Sequence, residues 1–142
     1  MTEAASERKP RIFAHRGSCL MAPENTKNAF DLALQYRADV LETDVRLSKD
    51  GIVMVTHDKY LQRTTNGSGL VRDFTASELK LLDAAHRFTD LNNEPYSGEP
   101  VSILTLNELF GLYPSVGINI DIKDNNPEAA NAVAKLLQSR QS

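Results

Sequence analysis

The chain has a single cysteine, Cys19, in 142 residues. One thiol closes no internal disulfide and builds no thiolate zinc cluster. No histidine stands near it at catalytic spacing, so Cys19 is expected as a small buried or half-exposed side chain. A basic excess is missing as well. The formal net charge is -3, whereas a dedicated nucleic-acid binder carries the positive charge that displaces counterions from phosphates. No apolar run approaches the roughly 20 residues of a membrane-spanning helix. Residues 1–10 form a polar lead without the apolar core of a signal peptide, so a cytoplasmic protein is the expectation. Repeats and low-complexity tracts are absent too, and 41% hydrophobic residues are enough to give a core to one domain, residues 11–142.

What is present is an alternation of short apolar strands with helical stretches. Arg11 to His15 reads as a buried strand. Pro23-Glu24-Asn25-Thr26 is a turn that opens a helix, with Ala29, Phe30, Ala33, Leu34 and Arg37 on a 3.6-residue period. From Val40 to Leu47 the period becomes two, which places Leu41, Thr43 and Val45 on one side and Glu42, Asp44 and Arg46 on the other. Lys49-Asp50-Gly51 is a turn signal, so Ile52 to His57 should return antiparallel and bring His57 beside Thr43 and Asp44. Thr75-Ala-Ser-Glu78 and Thr105-Leu-Asn-Glu108 are capping boxes that start helices through Leu82 and to Tyr113. His86 to Pro100 is rich in Asn, Gly, Pro and charge, which predicts an irregular excursion. Gly117 to Lys123 reads as a second buried strand, and Asn126-Pro127 caps a last helix with Ala130, Val133, Ala134 and Leu137 inward. The order β-α-β-hairpin-α-α-β-α predicts an α/β fold with parallel strands.

Three groups of side chains carry the chemistry. Glu42 and Asp44 project from the same face of one strand, and a half-exposed strand could simply turn that face to water. Asp121 weighs against that, because it alternates with Ile118, Ile120 and Ile122 in a strand expected to be covered on both faces, where a carboxylate and the nearby Lys123 ammonium need partners. Three converging carboxylates suit a hard divalent cation such as Mg²⁺ or Ca²⁺. His15 and His57, each ending an apolar strand, make a proton-transfer pair. Arg16 can clamp phosphate oxygens through its planar fork. His86 has no such setting and is assigned no role.

Together these residues carry a resemblance. His15-Arg16-Gly17, Pro23-Glu-Asn-Thr26, Glu42-Thr-Asp44-Val45, Asp50-Gly51, His57-Asp58, Leu61 with Arg63-Thr64-Thr65, and Asn119-Ile-Asp121-Ile-Lys123 resemble the glycerophosphodiester phosphodiesterase family in order and spacing. The resemblance implies a TIM-type (β/α) barrel, here truncated to about its first three βα units. It also implies metal-dependent hydrolysis of glycerophosphodiesters to glycerol 3-phosphate and an alcohol. By the same resemblance His15 and His57 are the acid/base pair, Arg16 and Lys123 bind phosphate, and Glu42, Asp44 and Asp121 are metal ligands. His57 ligates the metal in some members. The family often has Glu where this chain has Asp121, and small residues where it has Ser18-Cys19-Leu20-Met21. The expected barrel normally takes roughly 250 residues, so open sheet edges, self-association or a complementing chain belong to the same expectation. The rival functions are a lysophospholipase D, which needs an apolar groove for an acyl chain, and a non-catalytic binding remnant.

Overall fold

The structure, a computed structural model, describes residues 9–141. Most of the lead expected over residues 1–10 therefore lies outside the described residues. Four strands, β1 (Phe13–His15), β2 (Val40–Leu47), β3 (Val53–Val55) and β4 (Gly117–Ile122), form one sheet, joined by helices α1 (Lys27–Gln35), α2 (Ala76–Lys80), α3 (Leu106–Leu112) and α4 (Pro127–Ser139). β2 is central. β4 lies parallel along one of its edges from Val40 to Val45. The other edge is shared by β1, parallel to Val40–Glu42, and β3, antiparallel to Val45–Leu47. The free side of β3 is covered by the chain before α3, where the Val55 amide donates to the Leu104 carbonyl at 2.8 Å.

Local chemistry explains where the helices begin. Thr26, Thr75, Thr105 and Asn126 each accept a hydrogen bond from a first-turn amide, and both predicted capping boxes are complete. The predicted hairpin is present, with Val45 opposite Val55. Helix α2 stops at Lys80, before the expected Leu82.

Helices α1, α3 and α4 cover one face of the sheet. There Phe30, Leu41, Val45, Leu106 and Leu109 form a buried core, with Ala14, Ile118, Ile120 and Ile122 packed against it. Fully burying such a side chain is worth about 1.5–3 kcal/mol. A second cluster around Met54, Leu61, Val71, Leu79 and Ile103 sits beneath the excursion that follows β3. Among the described residues no helix is long and apolar enough to cross a membrane.

Three sequence expectations need correction. β1 and β4 are not buried strands: Phe13 is 51% exposed, and β4 alternates exposed with half-buried positions. The face opposite these helices is covered over β3, where Met54 packs into the second cluster, but along β1 and β4 only the Ala14 and Ile118/Ile120/Ile122 sides are covered among the described residues. In α4 the inward residues are Ala129 and Val133, with Ala132 and Leu136 packed beside them. Ala130, Ala134 and Leu137 are exposed, one position out of phase with the prediction. Arg37 lies beyond the end of α1 with φ 62°, exposed rather than continuing the apolar stripe.

Candidate active site

The face of the sheet turned away from α1, α3 and α4 carries the polar side chains. Alternation along β2 sends Leu41, Thr43 and Val45 toward the helices and Glu42 and Asp44 the other way. The register sets Asp121 of β4 directly opposite Asp44, and His15 of β1 directly opposite Glu42. The short Asp121 side chain therefore starts from an adjacent backbone position. One carboxylate oxygen from each of Glu42, Asp44 and Asp121 lies within 4.8 Å of the other two. They differ in burial: the Asp44 side chain is 1% exposed and that of Asp121 is 50% exposed.

Carboxylates this close repel one another and need positive charge or hydrogen-bond donors. Lys123 Nζ lies 2.7 Å from Asp121 Oδ2 and 3.6 Å from Asp44 Oδ1. Its hydrogen bond to Asp121, with the Asp44 charge behind it, pushes the Lys123 pKa up. The Asn25 amide donates to Asp44 Oδ2 at 3.0 Å and accepts from the Thr43 hydroxyl at 2.8 Å. The backbone N–H of Arg16 donates to Glu42 Oε2 at 3.1 Å. Arg16 Nε approaches Asp44 Oδ2 to 3.1 Å, but its N–H is not aimed at that oxygen, and it is a buried donor without a hydrogen-bond partner. That contact is one of charge, and it leaves the donor directed elsewhere.

The β1–α1 turn places Arg16 by an unusual backbone. Arg16, Gly17 and Asn25 all have positive φ, at 56°, 76° and 57°. The backbone N–H of Asn25 donates to the Arg16 carbonyl at 3.0 Å, and that of Ser18 to the Ala29 carbonyl at 2.9 Å. A Cβ on Gly17 would stand 2.6 Å from the Ala29 carbonyl carbon and 2.8 Å from its Cβ. Gly17→Ala is accordingly expected to cost at least about 2 kcal/mol, combining left-handed backbone strain with overpacking against α1. A urea melt of the chain joined to the second half of a full-length family member reads the loss as a lower midpoint, and an unchanged midpoint would show that the turn can relax.

The two histidines differ. His15 is exposed at the end of β1, with Nε2 4.0 Å from Glu42 Oε2. The hairpin brings the backbone near His57 back to β2 as expected, since the Thr56 amide donates to the Asp44 carbonyl at 3.0 Å. Arg46 fixes it further, donating from Nε to the His57 carbonyl at 2.7 Å and from Nη1 to Asp124 at 2.8 Å. The imidazole does not join the carboxylate cluster. Its Nδ1 lies 2.7 Å from Asp58 Oδ1.

Asp58 belongs to a network that individual residue readings left out. Arg63 bonds both Asp58 and Glu24, and Glu24 Oε1 in turn lies 3.2 Å from Arg16 Nη1. Hydrogen bonds from Arg63 hold the Asp58 pKa down to about 2, against the smaller opposing effect of burial. Burial pushes Glu24 up, but hydrogen bonding and charge from Arg63 and charge from Arg16 outweigh it, so its pKa falls below the usual range. The Cys19 thiol is half-buried as expected, and burial together with the nearby Glu24 charge raises its pKa. Asp58 and Arg63 are five residues apart in an irregular segment, so their ion pair had no i,i+4 signal. The meeting of Asn25 with Asp44 had no local signal, because it depends on how the turn folds over β2.

Comparison with known proteins points to one family. Residues 15–141 match the family described as the Glycerophosphoryl diester phosphodiesterase family. A glycerophosphodiester phosphodiesterase of Caldanaerobacter subterraneus subsp. tengcongensis is 44% identical over 117 residues, covering 81% of this chain and 46% of that protein. A lysophospholipase D of Mus musculus is 32% identical over 131 residues, covering 90% of this chain and 39% of that protein. Among solved structures, an Oleispira antarctica phosphodiesterase in complex with the product sn-glycerol-3-phosphate is 36% identical. It superposes with a TM-score of 0.78, covering 91% of this chain and 52% of that one. The chain thus spans about half the length of the relatives it matches. With the family match running from the first histidine to just beyond the end of α4, the chain belongs to the glycerophosphoryl diester phosphodiesterase family.

Proposed function

We propose that this chain supplies the first three βα units of a TIM-type barrel that hydrolyses glycerophosphodiesters to glycerol 3-phosphate and an alcohol. The observation that carries the proposal is the in-register meeting of Asp44 and Asp121, which with Glu42 gathers three carboxylates at the C-terminal part of parallel strands. Barrel enzymes of this architecture place their chemistry at that end of the strands. The all-oxygen donor set fits Mg²⁺ or Ca²⁺. A divalent cation held by Glu42, Asp44 and Asp121 would polarise a phosphoryl oxygen and neutralise developing charge.

The remaining work falls to the chain's own residues. Lys123 is at present the counter-ion of Asp121 and Asp44, so its charge becomes available to a phosphate once those carboxylates have another partner. Arg16, whose buried Nε–H has no hydrogen-bond partner, supplies a second cation for the nonbridging oxygens. His15 and His57 exchange base and acid roles as water or the substrate's own glycerol hydroxyl attacks phosphorus. A cavity of about 250 Å³ lined by Cys19, Leu20, Glu24, Arg63, Arg87 and Phe88 adjoins the Arg16 side of the site.

Calorimetric titration with Mg²⁺ and Ca²⁺ tests the metal assignment. Asp44→Ala is expected to abolish binding. Asp121→Asn, at an exposed position where folding is not at stake, is expected to weaken it about tenfold or more. Wild-type affinity in both variants would remove these carboxylates from the metal centre.

A further inference from the structure

Arg63 reaches both arms of the site. Its guanidinium donates to Asp58 from Nε at 2.7 Å and from Nη2 at 3.0 Å, and to Glu24 from Nη1 at 2.9 Å and Nη2 at 2.7 Å. Only a planar fork bonds two carboxylates in this way, and an ammonium does not. Beyond Asp58 stands His57, with Nδ1 2.7 Å from Oδ1. Beyond Glu24 stands Arg16, whose own Nε lies 3.1 Å from Asp44 Oδ2. The line of contacts His57–Asp58–Arg63–Glu24–Arg16 therefore joins two segments, residues 57–63 and the β1–α1 turn, that have no strand pairing between them.

The geometry also settles a proton. A carboxylate shared with a guanidinium is ionised and only accepts hydrogen bonds. A neutral His57 ring can contact Asp58 at 2.7 Å only with its hydrogen on Nδ1, which leaves Nε2 as the ring's basic nitrogen. A half-exposed ion pair contributes little to stability by itself, about 0–1 kcal/mol. Stapling two loops is thus a weak reason for four hydrogen bonds on one side chain.

We infer that Arg63 is a positioning residue: by holding Asp58 and Glu24 together it fixes the Nδ1–H tautomer of His57 and the placement of the Arg16 guanidinium. The inference rests on the proposal that His57 transfers protons and Arg16 binds phosphate. Two measurements test it on this chain joined to the second half of a full-length relative, the form in which the barrel is closed. Long-range proton–nitrogen spectra of ¹⁵N-labelled imidazole, taken with the ring neutral, report the tautomer. Calorimetry with glycerol 3-phosphate in the presence of Mg²⁺ reports the Arg16 arm. The wild type is expected to show His57 as Nδ1–H alone. Arg63→Met should give a mixture containing Nε2–H and weaken glycerol 3-phosphate about tenfold or more. Arg63→Lys, which keeps the charge without the fork, should fall between the two, and it carries the comparison should the methionine variant not fold. A wild type that binds no glycerol 3-phosphate would overturn the phosphate-binding proposal, and the positioning role with it. A wild type that binds, beside variants with unchanged tautomer and affinity, would overturn the positioning role alone.

Discussion

In a chimera joining these residues to the second half of a full-length relative, His57→Ala is expected to lower glycerophosphodiester hydrolysis by roughly 10² or more, and His15→Ala by a similar factor. Attack on a phosphodiester must remove a proton from the nucleophile and deliver one to the departing alcohol. A positioned imidazole does each near neutral pH, and losing it leaves water to do the same work. The two sites predict different side effects. His57 is tied to Asp58 and its backbone to Arg46, so its loss should act on kcat and leave metal binding intact. His15 lies 4.0 Å from Glu42 Oε2, close enough that its removal also changes the charge felt by the carboxylate cluster. Metal titration of both variants beside the rate separates these effects. A rate within twofold of the parent chimera in either variant would take that histidine out of the mechanism.

What the sequence disclosed and what it hid follow from the range of the interactions concerned. The caps at Thr26, Thr75, Thr105 and Asn126 are decided within four residues, and each was legible. The period of two along β2 placed Glu42 and Asp44 on one face, and the turn at Asp50 gave the hairpin, again by local chemistry. Whether Asp121 met them depended on strand register, which no local pattern sets. The family resemblance supplied it, and the observed pairing of Asp44 with Asp121 agrees. Val133 was read correctly as inward in α4, but its neighbours offer two nearly equivalent apolar stripes that share it, and packing chose Ala129, Ala132 and Leu136 over Ala130, Ala134 and Leu137. The exposure of β1 and β4 was missed because an apolar run reads as buried whether or not anything lies on its second face. Arg63 escaped because its role joins two loops that approach only in the fold.

The exposure of β1 and β4 underlies the other large expected effect. A purified preparation of these 142 residues should self-associate and melt without a sharp transition. Ile12 is 57% exposed and Phe13 51%, both on β1 or just before it. Among the described residues β1 and β4 each pair with β2 alone, so their outer edges present unpaired N–H and C=O groups to any strand that approaches. Beside the β4 edge an apolar groove of about 230 Å³ runs between Val116, Ile118, Ile120 and Leu137. Exposed edges flanked by apolar surface are templates for intermolecular pairing, and a closed barrel removes them. The balance is narrow, since a domain of this size is stable by only about 5–15 kcal/mol with its core complete. Leaving several large side chains in water, at about 1.5–3 kcal/mol each, consumes much of that margin. Sedimentation velocity with a thermal melt decides between outcomes: the chain alone should run as mixed oligomers with a broad melt, and the chimera as a monomer with a cooperative one. A clean monomer melting sharply without the second half would show that the open sheet is self-sufficient, and the barrel-segment proposal would then fall.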